Sequence, residues 1–301
     1  MFNKNKNGKP VNQADIIPPT LEEVRESQPG VKLFLNGVEG SFLTVKIGNC
    51  THQGAREYQE DSFGYSDIID SEVISRRGFA AVLADGMGGL SNGKEISDYV
   101  VRSFISMFEA LDISAENNFG CRLIDIAEKI NAEVSRNFFK DGRSGAGSTI
   151  AAAIVYKAKL FWVCMGDSRL YLLRNNILYT VNEDHDYFNQ LLSDNLAGKI
   201  TIAEINADKQ KDSLTSYVGN EKLPFIDASK IGFSLQKDDT LLLCSDGIYA
   251  GLSNAEIISI LNHNEPQRAS EIITASVLDK NIAGQDNLTV MIIKLEGELS
   301  C

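Results

Sequence analysis

Three apolar runs of strand length each end on an aspartate beside a glycine: VLADG closes on Asp85 and Gly86, LLLCSDG on Asp246 and Gly247, and WVCMGD on Gly166 and Asp167. A fourth run, LTVMIIKL (288–295), is preceded by GQDN, which carries Asp286. Unbroken apolar stretches of this length read as buried strands, each delivering an aspartate at its mouth. A single Asp-Gly at a strand end is ordinary turn chemistry. Four on long buried strands predict carboxylates held in fixed proximity, and such carboxylates repel unless they share protons or a cation. The hard ions Mg²⁺ and Mn²⁺ suit an all-oxygen donor set that retains water.

Period-two and continuous apolar runs place strands at 42–48, DSFGYSDI, 79–85, 148–156, 160–167, RLYLLR, ILYTV, 240–246 and 288–295. Three-to-four spacing predicts helices over 95–111 and 121–139, a shorter one at 187–193, and two late ones at 254–262 and 267–279. Strands in succession and helices in groups predict an antiparallel α+β fold rather than a doubly wound parallel sheet. The chain has 301 residues and is 43% apolar, enough for a sizeable core. Four of its six prolines fall in the first 29 residues, so 1–41 reads as a leader that is flexible in part, with a short tail at 297–301.

A balance of 29 basic against 41 acidic side chains gives a net charge of −12, which disfavours nucleic acid as a partner. Five scattered cysteines without C-x-x-C argue against a disulfide framework or zinc knuckle. Three histidines leave little room for imidazole chemistry, so carboxylates must carry it. Neither a signal peptide nor a long apolar span is visible, and the expectation is a cytoplasmic protein without a membrane partner.

Upstream, the stretch 54–61 reads G-x-R-x-x-x-E-D and supplies Arg56, Glu60 and Asp61. Arginine's planar fork matches phosphate oxygens, although the stretch by itself reads as a solvated loop. With A-D-G-M-G-G (84–89), G-x-G-S-T (145–149), M-G-D-S-R (165–169), C-S-D-G (244–247) and G-Q-D-N (284–287), it forms an ordered set over 42–296. That set resembles the metal-dependent protein phosphatases of the type 2C (PPM) family, in a bacterial-like form. The resemblance implies two antiparallel sheets packed as a sandwich, flanked by pairs of helices. It also implies a protein serine/threonine phosphatase using two Mn²⁺ or Mg²⁺ ions to activate water, acting on phosphorylated proteins in opposition to a serine/threonine kinase. Asp85 and the Gly86 carbonyl, with Asp246 and Asp286, would then be metal ligands. Glu60 and Asp61 would hold metal-bound waters, Arg56 would grip the phosphoryl group, and Asn287 would orient Asp286.

This chain departs from the family pattern at two positions. Met87 stands where some members carry a histidine proposed as general acid, and Ala250 where many carry an aspartate that joins Asp167 at a third metal. The third ion, resting on Asp167, is therefore doubtful. Residues 184–230 occupy the place of the family's variable flap, and His185 within them reads as a polar loop histidine. Two other readings compete. A catalytically inactive phosphatase fold that binds phosphopeptides or acts as a scaffold would be expected to lose the metal carboxylates, which persist here. The stretch 88–94, G-x-x-x-x-G-K, has the skeleton of a nucleotide-binding P-loop, but Glu95 stands where that loop needs Ser or Thr.

Overall fold

The structure, a computed structural model, describes residues 31–34, 41–66, 74, 77–88, 92–111, 119–138, 146–220 and 225–299. Most of the expected leader, the end of DSFGYSDI, Gly145, and positions 89–91 of the P-loop-like stretch lie outside them. One six-stranded sheet runs β1 (Val31–Phe34), β2 (Ser41–His52), β14 (Leu288–Leu299), β13 (Thr240–Cys244), β9 (Arg169–Arg174), β10 (Ile177–Thr180). The second runs β11 (Asp227–Ala228), β8 (Lys159–Met165), β7 (Ile150–Tyr156), β4 (Phe79–Ala84), β3 (Ser62–Tyr65), and β12 (Phe233–Ser234) also pairs with β8. The pairings within both sheets are antiparallel. A two-stranded ribbon joins β5 (Gly86–Met87) to β6 (Gly147–Ser148). The helices are α1 (Asn92–Glu109), α2 (Phe119–Phe138), α3 (Tyr187–Leu196), α4 (Ile202–Ala207), α5 (Asp246–Gly251), α6 (Asn254–His263) and α7 (Pro266–Leu278).

Side-chain alternation explains why the strands are apolar throughout. On β4, Ala81 and Leu83 point between the sheets and pack with Leu241, Leu243, Met291 and Ile293. Ala80, Val82 and Ala84 point the other way, against Ile96, Val100 and Phe104 of α1 and Leu123 and Ile130 of α2. On β13, Leu242 and Cys244 face outward to Ile257 of α6 and Ile273 and Val277 of α7. Each sheet therefore has a core on both faces, in the order helix, sheet, sheet, helix. Every such leucine removed from water contributes about 1.5–3 kcal/mol.

The antiparallel α+β expectation holds, and the differences are local. Strand 42–48 extends over Ser41–His52, paired along its whole length with β14. Val31–Phe34, inside the stretch read as leader, pairs with β2. The 240–246 strand stops at Cys244, because Asp246 already opens α5. The expected 148–156 strand divides at Thr149 into β6 and β7. Two hairpins turn through two residues of positive φ each, Lys157 and Ala158 (48° and 55°) and Asn175 and Asn176 (52° and 62°), the conformation that matches strand twist in tight turns.

Candidate active site

Register brings the four aspartates to one end of the sandwich. In the second sheet Ile150 pairs with Met165 and Leu83 with Ala151, so the end of β4, the start of β7 and the end of β8 coincide. In the first sheet Cys244 pairs with both Val290 and Arg169, which puts Asp246 beside the start of β14. Asp85, Asp167, Asp246 and Asp286 line one cavity of about 290 Å³ together with Arg56, Glu60, Gly86, Met87, Gly88, Thr149, Asp212, Leu214 and Asn287. Of the expected site residues only Asp61 is absent from the wall. It lies 3% exposed just behind it.

Each position has a structural support. The Asp85 N–H donates to Thr149 Oγ1 at 2.9 Å, and the Asp85 carbonyl accepts from the Thr149 N–H at 2.8 Å. Thr149 Oγ1 in turn meets Ser168 Oγ at 2.7 Å, linking the ends of β4, β7 and β8. Gly166 turns the chain with φ +100°, a region that disfavours side chains. Asp61 Oδ2 accepts from Ser245 Oγ at 2.9 Å, whose oxygen accepts the Thr289 N–H, tying the 53–61 loop to both β13 and β14. A Cβ on Gly93 would fall 2.4 Å from Glu60 Oε1. Any larger residue there would push the Glu60 carboxylate from this position.

Asn287 does more than was expected of it. Its main-chain N–H donates to Asp286 Oδ1 at 2.8 Å. Its side chain instead holds the arginine loop, accepting the Glu60 N–H at 2.7 Å and donating to the carbonyls of Gln53 at 2.8 Å and Tyr58 at 3.0 Å. Arg56, expected to grip the phosphoryl group, here pairs with Asp286, Nη2 to Oδ2 at 2.5 Å. The loop is not simply solvated, since Asp61 is buried and Glu60 partly so. His185 is 7% exposed rather than a surface histidine. Its ring Nδ1 accepts the Gly166 N–H at 3.3 Å and its main-chain N–H donates to the Gly166 carbonyl at 2.9 Å, pinning the flap to the end of β8. Lys94 of the P-loop-like stretch binds the Asp61 carbonyl, Ser62 Oγ and Asp98, leaving its ammonium committed within the fold.

The electrostatics describe a site short of positive charge. Burial is the leading cause that pushes Asp61 and Asp246 each up to about 6 and Asp167 up to about 7, with neighbouring carboxylates adding to it. Asp85 is raised well above the ordinary carboxylate range, by burial first and then by repulsion from Asp61, Asp246, Asp167 and Asp286. Burial also raises Glu60. Among the described residues five buried side-chain oxygens lack a hydrogen-bond partner, and three of them, Glu60 Oε1, Asp61 Oδ1 and Asp246 Oδ1, belong to this cluster. Unpaired buried oxygens are costly unless something donates to them or neutralises them. Divalent cations fit that need. Among the described residues, however, no three His, Cys, Asp or Glu side chains stand as a closed ligand cage. The donors that do converge, the aspartate and glutamate oxygens with the Gly86 carbonyl, are all oxygen, the chemistry that suits a hard ion rather than a zinc-type site of nitrogen and sulfur.

Sequence reasoning missed Thr149, Asp212 and Leu214. Thr149 lay in a quoted motif without a role, and the flap residues carry no local signal. Among known proteins, the chain is 28% identical over 243 residues to the serine/threonine phosphatase stp of Listeria innocua, covering 79% of this chain and 91% of that protein. The fold matches the serine/threonine phosphatase of S. agalactiae with a TM-score of 0.71 at 25% identity, over 83% of this chain and 98% of that one. It also matches the catalytic domain of the phosphatase PstP, a structure in complex with two manganese ions, with a TM-score of 0.65 at 23% identity over 84% and 99% of the two chains. Among the described residues no helix is long and apolar enough to cross a membrane. The family model of protein phosphatase 2C matches residues 51–281, the span that holds the arginine loop, Asp85, Asp167 and Asp246, and the chain belongs to that family.

Proposed function

We propose that this protein hydrolyses phosphoserine and phosphothreonine esters of proteins, opposing a serine/threonine kinase, with two divalent ions, Mn²⁺ or Mg²⁺, at the aspartate cluster. The observation that carries this reading is the convergence of Asp85, Asp167, Asp246 and Asp286 on one cavity with three orphaned carboxylate oxygens around it. The names of the relatives and the manganese of the PstP domain support it by likeness. When bound, such ions supply Lewis acidity that lowers the pKa of water and offsets phosphoryl charge. Asp85 and the Gly86 carbonyl would hold one ion, and Asp85, Asp246 and Asp286 the other. Glu60 Oε1 and Asp61 Oδ1, acceptors without a protein donor, orient water protons and fix the line of attack. Arg56 presents its guanidinium to the phosphoryl oxygens after exchanging from Asp286. Met87 has no proton to give, so the departing seryl or threonyl oxygen is protonated from pocket water. Asp167 faces the same cavity, but Ala250 brings no second carboxylate to it.

The test is turnover of a phosphothreonine peptide and of an aryl phosphate by the purified protein with Mn²⁺. Hydrolysis that EDTA abolishes and that collapses in Asp85→Asn and Asp246→Asn is expected. Failure to hydrolyse either substrate would leave the non-catalytic phosphopeptide-binding reading in its place.

A further inference from the structure

We infer that Asp212, on the flap side of the cavity, makes the site select phosphorylated segments that carry a lysine or arginine beside the phosphorylated residue. This deepens the phosphatase reading and rests on it. Among the described residues, the acids on the cavity wall are Glu60, Asp85, Asp167, Asp212, Asp246 and Asp286, and the cation is Arg56. Five of these acids belong to the strand ends and the arginine loop. Asp212 differs: it comes from the flap, and its side chain is 84% exposed, with Lys211 at 4.0 Å, the outer limit of an ion pair. It does not sit on a loose loop. The Tyr187 N–H donates to the Ser213 carbonyl at 2.9 Å and the Thr215 N–H to the His185 carbonyl at 2.8 Å, while His185 itself is bonded to Gly166. Asp212 is thus carried on a support tied to the strand end that bears Asp167.

A phosphate seated among the aspartates draws the residues on either side of it across this rim. A cationic neighbour meets the Asp212 carboxylate, and an acidic neighbour meets repulsion. The net charge of −12 favours the same basic segments at long range. An exposed charge pair of this kind corresponds to about a two- to fivefold difference in kcat/KM, and screening removes most of it at high salt.

The experiment uses the full chain with Mn²⁺ and phosphothreonine peptides identical except for Arg, Ala or Glu next to the phosphothreonine. An aryl phosphate, which has no flanking side chain, supplies the reference rate for each variant. The expected order of kcat/KM is Arg above Ala above Glu. The spread should narrow at 0.5 M salt, flatten in Asp212→Asn and reverse in Asp212→Lys. Hydrolysis with no preference, or a preference that survives both substitutions, overturns the assignment while leaving the phosphatase reading standing. No hydrolysis of any peptide or of the aryl phosphate overturns both.

Discussion

Replacing Arg56 by alanine should tighten metal binding while weakening substrate binding, two effects of opposite sign from one side chain. The structure pairs the guanidinium with Asp286 at 2.5 Å, and Asp286 Oδ1 is already bonded to the Asn287 N–H. A cation that binds Asp286 through Oδ2 must displace Arg56. The hydrogen bond to Asp286 and the nearby charges of Asp286, Asp246 and Asp85 all raise the arginine's own pKa. The side chains are 56% and 35% exposed, so solvent screening limits the pair to about 0.2–1 kcal/mol. Removing it should therefore lower the Kd for Mn²⁺ up to about fivefold, as measured by calorimetric titration of metal into metal-stripped protein. Loss of a charged bidentate partner for phosphate costs about 1.5–3 kcal/mol. KM for a phosphothreonine peptide should accordingly rise by roughly ten- to a hundredfold. Arg56→Lys should lie between. If the alanine variant binds Mn²⁺ with unchanged or weaker affinity, Arg56 does not compete for Asp286 and the exchange is refuted.

Further outcomes test the supporting architecture. Asn287→Ala removes three side-chain hydrogen bonds at a 5% exposed position, and should cost about 2–4 kcal/mol in urea denaturation at roughly 0.5–1.5 kcal/mol per bond; a loss under about 0.5 kcal/mol would contradict its role as the loop's anchor. Leu243→Ala, fully buried between the sheets, should cost about 2–5 kcal/mol, read from the same measurement. Burial lowers the His185 pKa below 6.5, so the unfolded chain takes up that proton first. The contribution of His185 is complete above about pH 6.5 and is lost as pH falls through the lower folded value. Wild type should lose more stability between pH 7.5 and 5 than His185→Asn does, and parallel pH profiles would remove His185 as the cause.

The legible parts of this molecule are those in which one short segment carries its own reason. Asp85, Asp246 and Asp286 could be read because each adjoins an apolar run too long to be anything but a doubly covered strand. The late helices could be read from spacing, within a residue or two at their ends. What escaped depends on partners distant in sequence or on elements too short to show a period. Nothing near Arg56 says that it meets Asp286, 230 positions later. Helix α5 is six residues with a glycine at either end of GIYAG, so DG read as a strand terminus. Helix α4 did have a signal, the capping box of Thr201 and Glu204, but it sits inside a polar stretch taken whole as flap. The burial of His185 comes from its bonds to Gly166, which a polar sequence context hides.

The two tight hairpins lie at the end of the sandwich away from the aspartates. The chain turns at Lys157 and Ala158 and at Asn175 and Asn176, eight or nine strand residues from Asp167, or about 25–30 Å at some 3.3 Å per residue. Both turns close strands whose opposite ends carry Asp167 and Arg169. A fluorophore or affinity handle grafted at 175–176 would therefore ride on a strand that begins beside the cavity while leaving the cavity's walls untouched, making that hairpin the natural attachment point for immobilising or labelling the enzyme.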